Sequence, residues 1–146
     1  DTVDPWTLDT RLQAWQAGIV ETLRHPLVGI GYGNYSFSVL VHSTRAGDTV
    51  MGLHNTFLIV GIGAGIPALA ALVWTLVAIA KAALQKFKAS SDKWEQLVGI
   101  GVLLLVVGFS VRNLFDYMFA GSLAYLFWIL VATGLKEWTA GKEQVV

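Results

Sequence analysis

Residues 56–80 contain no charged side chain. About 20 consecutive apolar residues are enough to cross the hydrocarbon core of a bilayer, so this run constrains the fold more than any other feature. His54 and Asn55 stand at its head. A titratable imidazole where an apolar span meets water is costly to place, and such groups are functional candidates by default. The rest of the chain has the same character. It is 55% hydrophobic and 14% charged, with a mean hydropathy of +0.60, and its charges fall in short blocks between apolar runs. A soluble domain of this length would need a polar surface as well as a core. The formal net charge is zero, which excludes a global basic field for nucleic acid. Cysteine is absent, so there is no disulfide framework and no thiolate chemistry.

Three apolar blocks, residues 53–80, 94–111 and 118–135, read as transmembrane helices. A fairly polar segment, residues 1–52, precedes them. Within it, residues 10–23 have helical spacing, with Leu8, Leu12, Trp15, Ile19 and Leu23 near one stripe. Asp9 or Thr10 is suited to cap the start, and His25-Pro26 ends the pattern, because proline disfavours a helical conformation in the residue before it. Residues 29–34 form a glycine-rich loop, residues 35–42 a short extended or helical piece, and residues 43–48 a polar turn. The chain opens on Asp1, and residues 1–10 are neither basic nor apolar enough for a signal peptide. It reads as an excerpt of a longer protein with further helices upstream. The expected fold is therefore an all-α membrane protein: three transmembrane helices after a partly helical extracytoplasmic segment.

Lysine and arginine orient these spans. The connector 81–93 holds Lys81, Lys86, Lys88 and Lys93, and the tail 136–146 holds Lys136 and Lys142. The link 112–117 holds Arg112 with Asp116. The positive-inside rule puts the lysine-rich side in the cytoplasm, with Trp94 and Trp138 at that interface. Residues 1–52, His54, Arg112 and Asp116 then face outward. Arg11, Arg24 and Arg45 give the outward segment some positive charge of its own, beside Asp1, Asp4, Asp9, Glu21 and Asp48.

Each candidate residue has two readings. His54 suits a general base, because an imidazole in water titrates near pH ~6.5; the plainer reading is an interfacial histidine at a helix start, with Asn55 as N-cap. Arg11 and Trp15 are four apart, which sets the guanidinium stem beside the indole. They suit a clamp on a phosphate, or simply a solvated arginine stacked on tryptophan. Gly29, Gly31 and Gly33 allow a small anion-binding nest of main-chain amides, or a plain turn. Arg112 and Asp116 either pair with each other at i, i+4 or line a cavity shared with His54. Gly61, Gly63, Gly65 and Pro67 point to close helix packing or a kink inside the first span. His25, His42 and His54 are far apart and lack the spacing of a metal motif, and there is no nucleophile elbow.

The order of these pieces resembles the C-terminal part of the O-antigen ligase and O-antigen polymerase family. The matching stretches are Arg11-Leu12-Gln13-Ala14-Trp15, then His25-Pro26-Leu27-Val28-Gly29-Ile30-Gly31-Tyr32-Gly33-Asn34-Tyr35. His54-Asn55-Thr56-Phe57-Leu58 follows, then Gly65-Ile66-Pro67. Asn113-Leu114-Phe115-Asp116 and Phe127-Trp128 match more loosely. The resemblance covers nearly the whole chain, and its specificity lies in the ordered set.

The resemblance implies a bacterial inner-membrane glycosyltransferase. It would move a glycan from undecaprenyl diphosphate to a hydroxyl of a lipid, glycan or protein acceptor, with no metal or other cofactor. His54 matches the proposed base, and Arg11 matches an arginine proposed to hold the diphosphate. Trp15, Asn55, Gly29 and Gly31 would support them. Many relatives carry an acidic residue nine positions after the histidine; Gly63 stands there, so no role of that carboxylate carries over. A rival expectation is a transporter or channel subunit, with residues 61–67 as a broken helix and Arg112 as a gate. A third is a scaffold indifferent to His54 and Arg11.

Overall fold

The protein is seen here as a computed structural model. It describes residues 5–31, 53–117, 119 and 121–140, with α1 side chains from Leu12 onward and α4 side chains as far as Lys136. Over these residues the chain is all-helical: α1 (Pro5–Arg24), α2 (Thr56–Ala89), α3 (Lys93–Asn113) and α4 (Gly121–Ala140), with no strand among the described residues. Two compact units emerge, one of residues 1–72 with Asn113–Tyr117, the other of Val73–Arg112 with Met118–Val146.

The helix ends differ from the sequence expectation. α1 starts at Pro5 rather than at residue 10; proline suits the first helical position, because its missing N–H would have no partner there. α2 runs on to Ala89 instead of ending at residue 80, so most of the expected connector 81–93 is helix. Lys86 accordingly lies one turn beyond the buried Ala83 and is itself only 2% exposed, not a solvated connector lysine. Asp92 caps α3, accepting the Trp94 N–H at 3.1 Å on Oδ1. α4 begins at Gly121 and continues to Ala140.

Two helices, α2 and α3, are long and apolar enough to cross a membrane. The apolar part of α4, Gly121–Lys136, is shorter, roughly 24 Å at ~1.5 Å per residue against a hydrocarbon core of about 30 Å.

In the first unit, α1 packs with an unexpected face. The leucine stripe is outward, with Leu12 54%, Ile19 49% and Leu23 65% exposed. The buried face is Ala14, Gly18 and Thr22. Small residues let two helix backbones approach closely, and here they admit Leu53, Ile59 and Ile62, which form the core with Ala14. Trp15, Ala17, Ile30, Leu58 and Tyr117 pack around it.

α2 is broken at Gly65, whose φ of 82° and ψ of 178° lie outside the helical region. Pro67 has no N–H, so the Gly63 carbonyl four residues back loses its helical donor. The turn after α1 fills this gap. Ile30 and Gly31 donate their N–H groups to Ile62 O at 2.8 Å and Gly63 O at 3.1 Å, while the Ile66 N–H donates to Pro26 O at 2.7 Å. The kink expected from Gly61, Gly63, Gly65 and Pro67 is thus present, and its freed groups are satisfied within the protein, as irregular backbone among apolar surroundings requires.

The second unit is held by apolar side chains. Leu76, Ala83, Val102, Val106, Phe127 and Val131 are buried. Phe109 stacks on Phe127 at 4.4 Å, and Phe119 meets both edge-on, at 4.9 and 5.6 Å. Trp128 adds an edge contact to Phe127 at 5.1 Å.

Candidate functional site

His54 is fixed from both sides in the chain. Before it, Trp15 donates its indole Nε1–H to Leu53 O at 3.0 Å, and Leu53 is only 1% exposed. After it, Asn55 is the N-cap of α2: its Oδ1 accepts the Leu58 N–H at 3.1 Å, and its carbonyl accepts the Ile59 N–H at 3.1 Å. Between these anchors His54 takes φ +44°. That left-handed conformation costs a side-chain-bearing residue about 1–2 kcal/mol. Such strain persists only where the surroundings over-determine it, and it clusters at functional sites.

The imidazole faces the link after α3. His54 Nδ1 lies 3.5 Å from Asp116 Oδ1, with both side chains a little over one-third exposed. Tyr117 donates its N–H to the same Oδ1 at 2.8 Å. Beneath this pair lie two fully buried polar side chains, Thr56 and Asn113. The Thr56 hydroxyl donates to Asn113 Oδ1 and contacts the main-chain O of Asp116 at 3.3 Å.

A carboxylate facing Nδ1 favours the tautomer with its proton on Nδ1, leaving Nε2 to accept a proton from a substrate. At 3.5 Å the contact is looser than a formed hydrogen bond, a common state for such pairs before substrate binds.

The sequence-derived candidates separate into three groups. His54, Asn55 and Trp15 come together, but Trp15 and Asn55 use their polar atoms on the backbone on either side of His54. Gly29 and Gly31 do not form an anion nest. Both have positive φ, 64° and 92°, and the N–H groups of Gly29, Ile30 and Gly31 are bonded to main-chain carbonyls. A Cβ on Gly29 would stand 2.3 Å from Ile62 O, so this glycine serves the docking of the loop onto α2. Arg11 lies within α1, and its side chain falls outside the described residues, as do Gly33, the expected elements at 35–42 and 43–48, His42 and Arg45. Arg24 and His25, both exposed, approach the largely covered Glu21 at 3.3 and 3.4 Å at the end of α1. Among the described residues no three metal-binding side chains gather.

The sequence leaves Arg112 and Asp116 either pairing with each other or lining a cavity shared with His54; the structure brings Asp116 to 3.5 Å from His54 Nδ1. Thr56 and Asn113 were not singled out as site residues at all. A threonine directly after the His-Asn pair and an asparagine three residues before Asp116 were the available signals, and neither shows in sequence that it meets the other. The chain matches no family model, no curated protein and no solved structure.

Proposed function

We propose that this chain carries the C-terminal part of a membrane glycan ligase or polymerase of the bacterial cell envelope. The donor is an oligo- or polysaccharide on undecaprenyl diphosphate; the acceptor is a hydroxyl of lipid A-core, of a growing glycan or of a protein. In this reading α2, α3 and α4 cross the inner membrane, residues 1–52 lie in the periplasm and the C-terminus lies in the cytoplasm. α4 reaches roughly 30 Å over its whole length, with Lys136 and Trp138 suited to the interface.

His54 Nε2 takes the proton of the acceptor hydroxyl. The acceptor oxygen bonds to the anomeric carbon as the bond from that carbon to the phosphate oxygen breaks, and undecaprenyl diphosphate leaves with the electron pair. Asp116 stabilises the imidazolium that forms. Arg11 holds the diphosphate, since a guanidinium stays charged and binds phosphate in a bidentate manner. Asn55 and Trp15 hold the chain that presents His54. The observation that carries the reading is a histidine in strained backbone at the head of an apolar helix, 3.5 Å from a carboxylate.

The broken α2 also invites comparison with transporters, whose unwound helices offer carbonyls to ions. Here the Ile62 and Gly63 carbonyls already accept main-chain N–H groups, which favours the ligase reading over that one.

The test is replacement of His54 in the full-length protein by alanine and by asparagine; asparagine tolerates left-handed backbone. We expect glycan transfer to fall by about 10²–10⁴-fold at unchanged expression. Normal transfer by either variant ends the assignment.

A further inference from the structure

The contact between His54 and Asp116 joins two partly exposed side chains, and a surface pair of that kind is too weak to hold its own geometry. Asp116 also lies outside any helix, beyond the turn that follows α3. Its carboxylate needs a fixed base if it is to stay on Nδ1. Two constraints supply one. The Tyr117 N–H sets the carboxylate relative to its own backbone, at 2.8 Å. The Thr56 hydroxyl, whose single proton is shared between Asn113 Oδ1 and Asp116 O at 3.3 Å, sets that backbone relative to the first turn of α2. Thr56 is itself tied to Asn113, the last residue of α3, and both side chains are 0% exposed. Water does not compete for hydrogen bonds in such a place, so they hold their geometry firmly.

We propose that Thr56 and Asn113 are positioning residues, whose buried hydroxyl–amide contact holds the Asp116 carboxylate on His54 Nδ1. This rests on the reading of His54 as the proton acceptor. The two side chains touch no substrate. They join the start of α2 to the end of α3, so that the chain leaving α3 returns its aspartate to the histidine that precedes α2.

Valine has nearly the shape of threonine without the hydroxyl. A purely packing role for Thr56 is therefore kept by Thr56→Val, whereas a positioning role is lost. Thr56→Ser keeps the hydroxyl and should rescue. The full-length protein, with ¹⁵N-labelled histidine, is examined in lipid nanodiscs in alkaline buffer, where imidazoles are neutral. The His54 resonances are assigned by their loss in His54→Asn. In the wild type and Thr56→Ser we expect the proton on Nδ1. In Thr56→Val and Asp116→Asn we expect a mixture of tautomers. Thr56→Val should also lower kcat for glycan transfer by about 100-fold, the scale of a small misplacement in an active site, at unchanged KM.

A wild-type tautomer and wild-type turnover in Thr56→Val would overturn the proposal. Should Thr56→Val not accumulate in membranes, Thr56→Cys replaces it, since a thiol is a weak donor, and the same two outcomes decide. Normal transfer by His54→Asn would instead sink the base reading, and the tautomer comparison, which needs no turnover, would still decide whether Thr56 holds Asp116.

Discussion

Both units of this chain have apolar cores, and they differ in the polar contacts placed among them. The first, residues 1–72 with Asn113–Tyr117, depends on polar groups placed among apolar ones. A loop donates to the carbonyls of a broken helix, an indole holds the Leu53 carbonyl, and a buried hydroxyl meets a buried amide. The second relies on aliphatic side chains and a cluster of four aromatic rings. Dispersion between packed apolar groups sets no particular bond direction, whereas a hydrogen bond requires an aligned donor and acceptor. The unit with directional contacts is the one that presents His54 and Asp116.

The largest effect should separate two glycines. A Cβ on Gly29 would collide with the α2 backbone, 2.3 Å from Ile62 O, at φ +64°, whereas Gly101 in α3 has nothing within 4 Å. Gly29→Ala should destabilise the protein by about 4 kcal/mol from strain and clash together. Gly101→Ala should stabilise it by up to about 1 kcal/mol through helix propensity. Equilibrium unfolding in mixed micelles measures both, and equal effects would mean that the loop is not docked on α2. An intermediate effect is expected for Phe127→Ala, which removes ring contacts to Phe109, Phe119 and Trp128. The loss should be about 3 kcal/mol, the lower end for a buried phenylalanine, with the proposed glycan transfer retained at the stability that remains; loss of that activity in a folded variant would erase the contrast between the units. The smallest effect belongs to Asn55. Asn55→Ala loses the N-cap and should cost about 1 kcal/mol, as read from thermal unfolding.

Much of this was legible in the chain. Pro26 ends the first helix because of what proline does to its neighbour, Asn55 begins the second because of what its amide accepts, and Gly65 with Pro67 breaks it. These are local effects, carried within a few residues. The buried face of α1 was not legible, because hydrophobicity favoured Leu12, Ile19 and Leu23 while packing required Ala14, Gly18 and Thr22. Nor was the use of Gly29 and Gly31, since their partners are more than thirty positions away. His54 and Asn55 announced themselves by standing at the edge of an apolar run. Thr56 and Asn113 did not, because nothing in a sequence marks two polar residues as meeting in three dimensions.

The docked loop bears on how the chain is made. Residues 26–31 emerge from the ribosome before residues 62–66, and the two belong to one unit, which folds as a whole. The donors for the interrupted segment are therefore already synthesised when its bare carbonyls appear, so the interruption need not enter a greasy environment with those oxygens unmet.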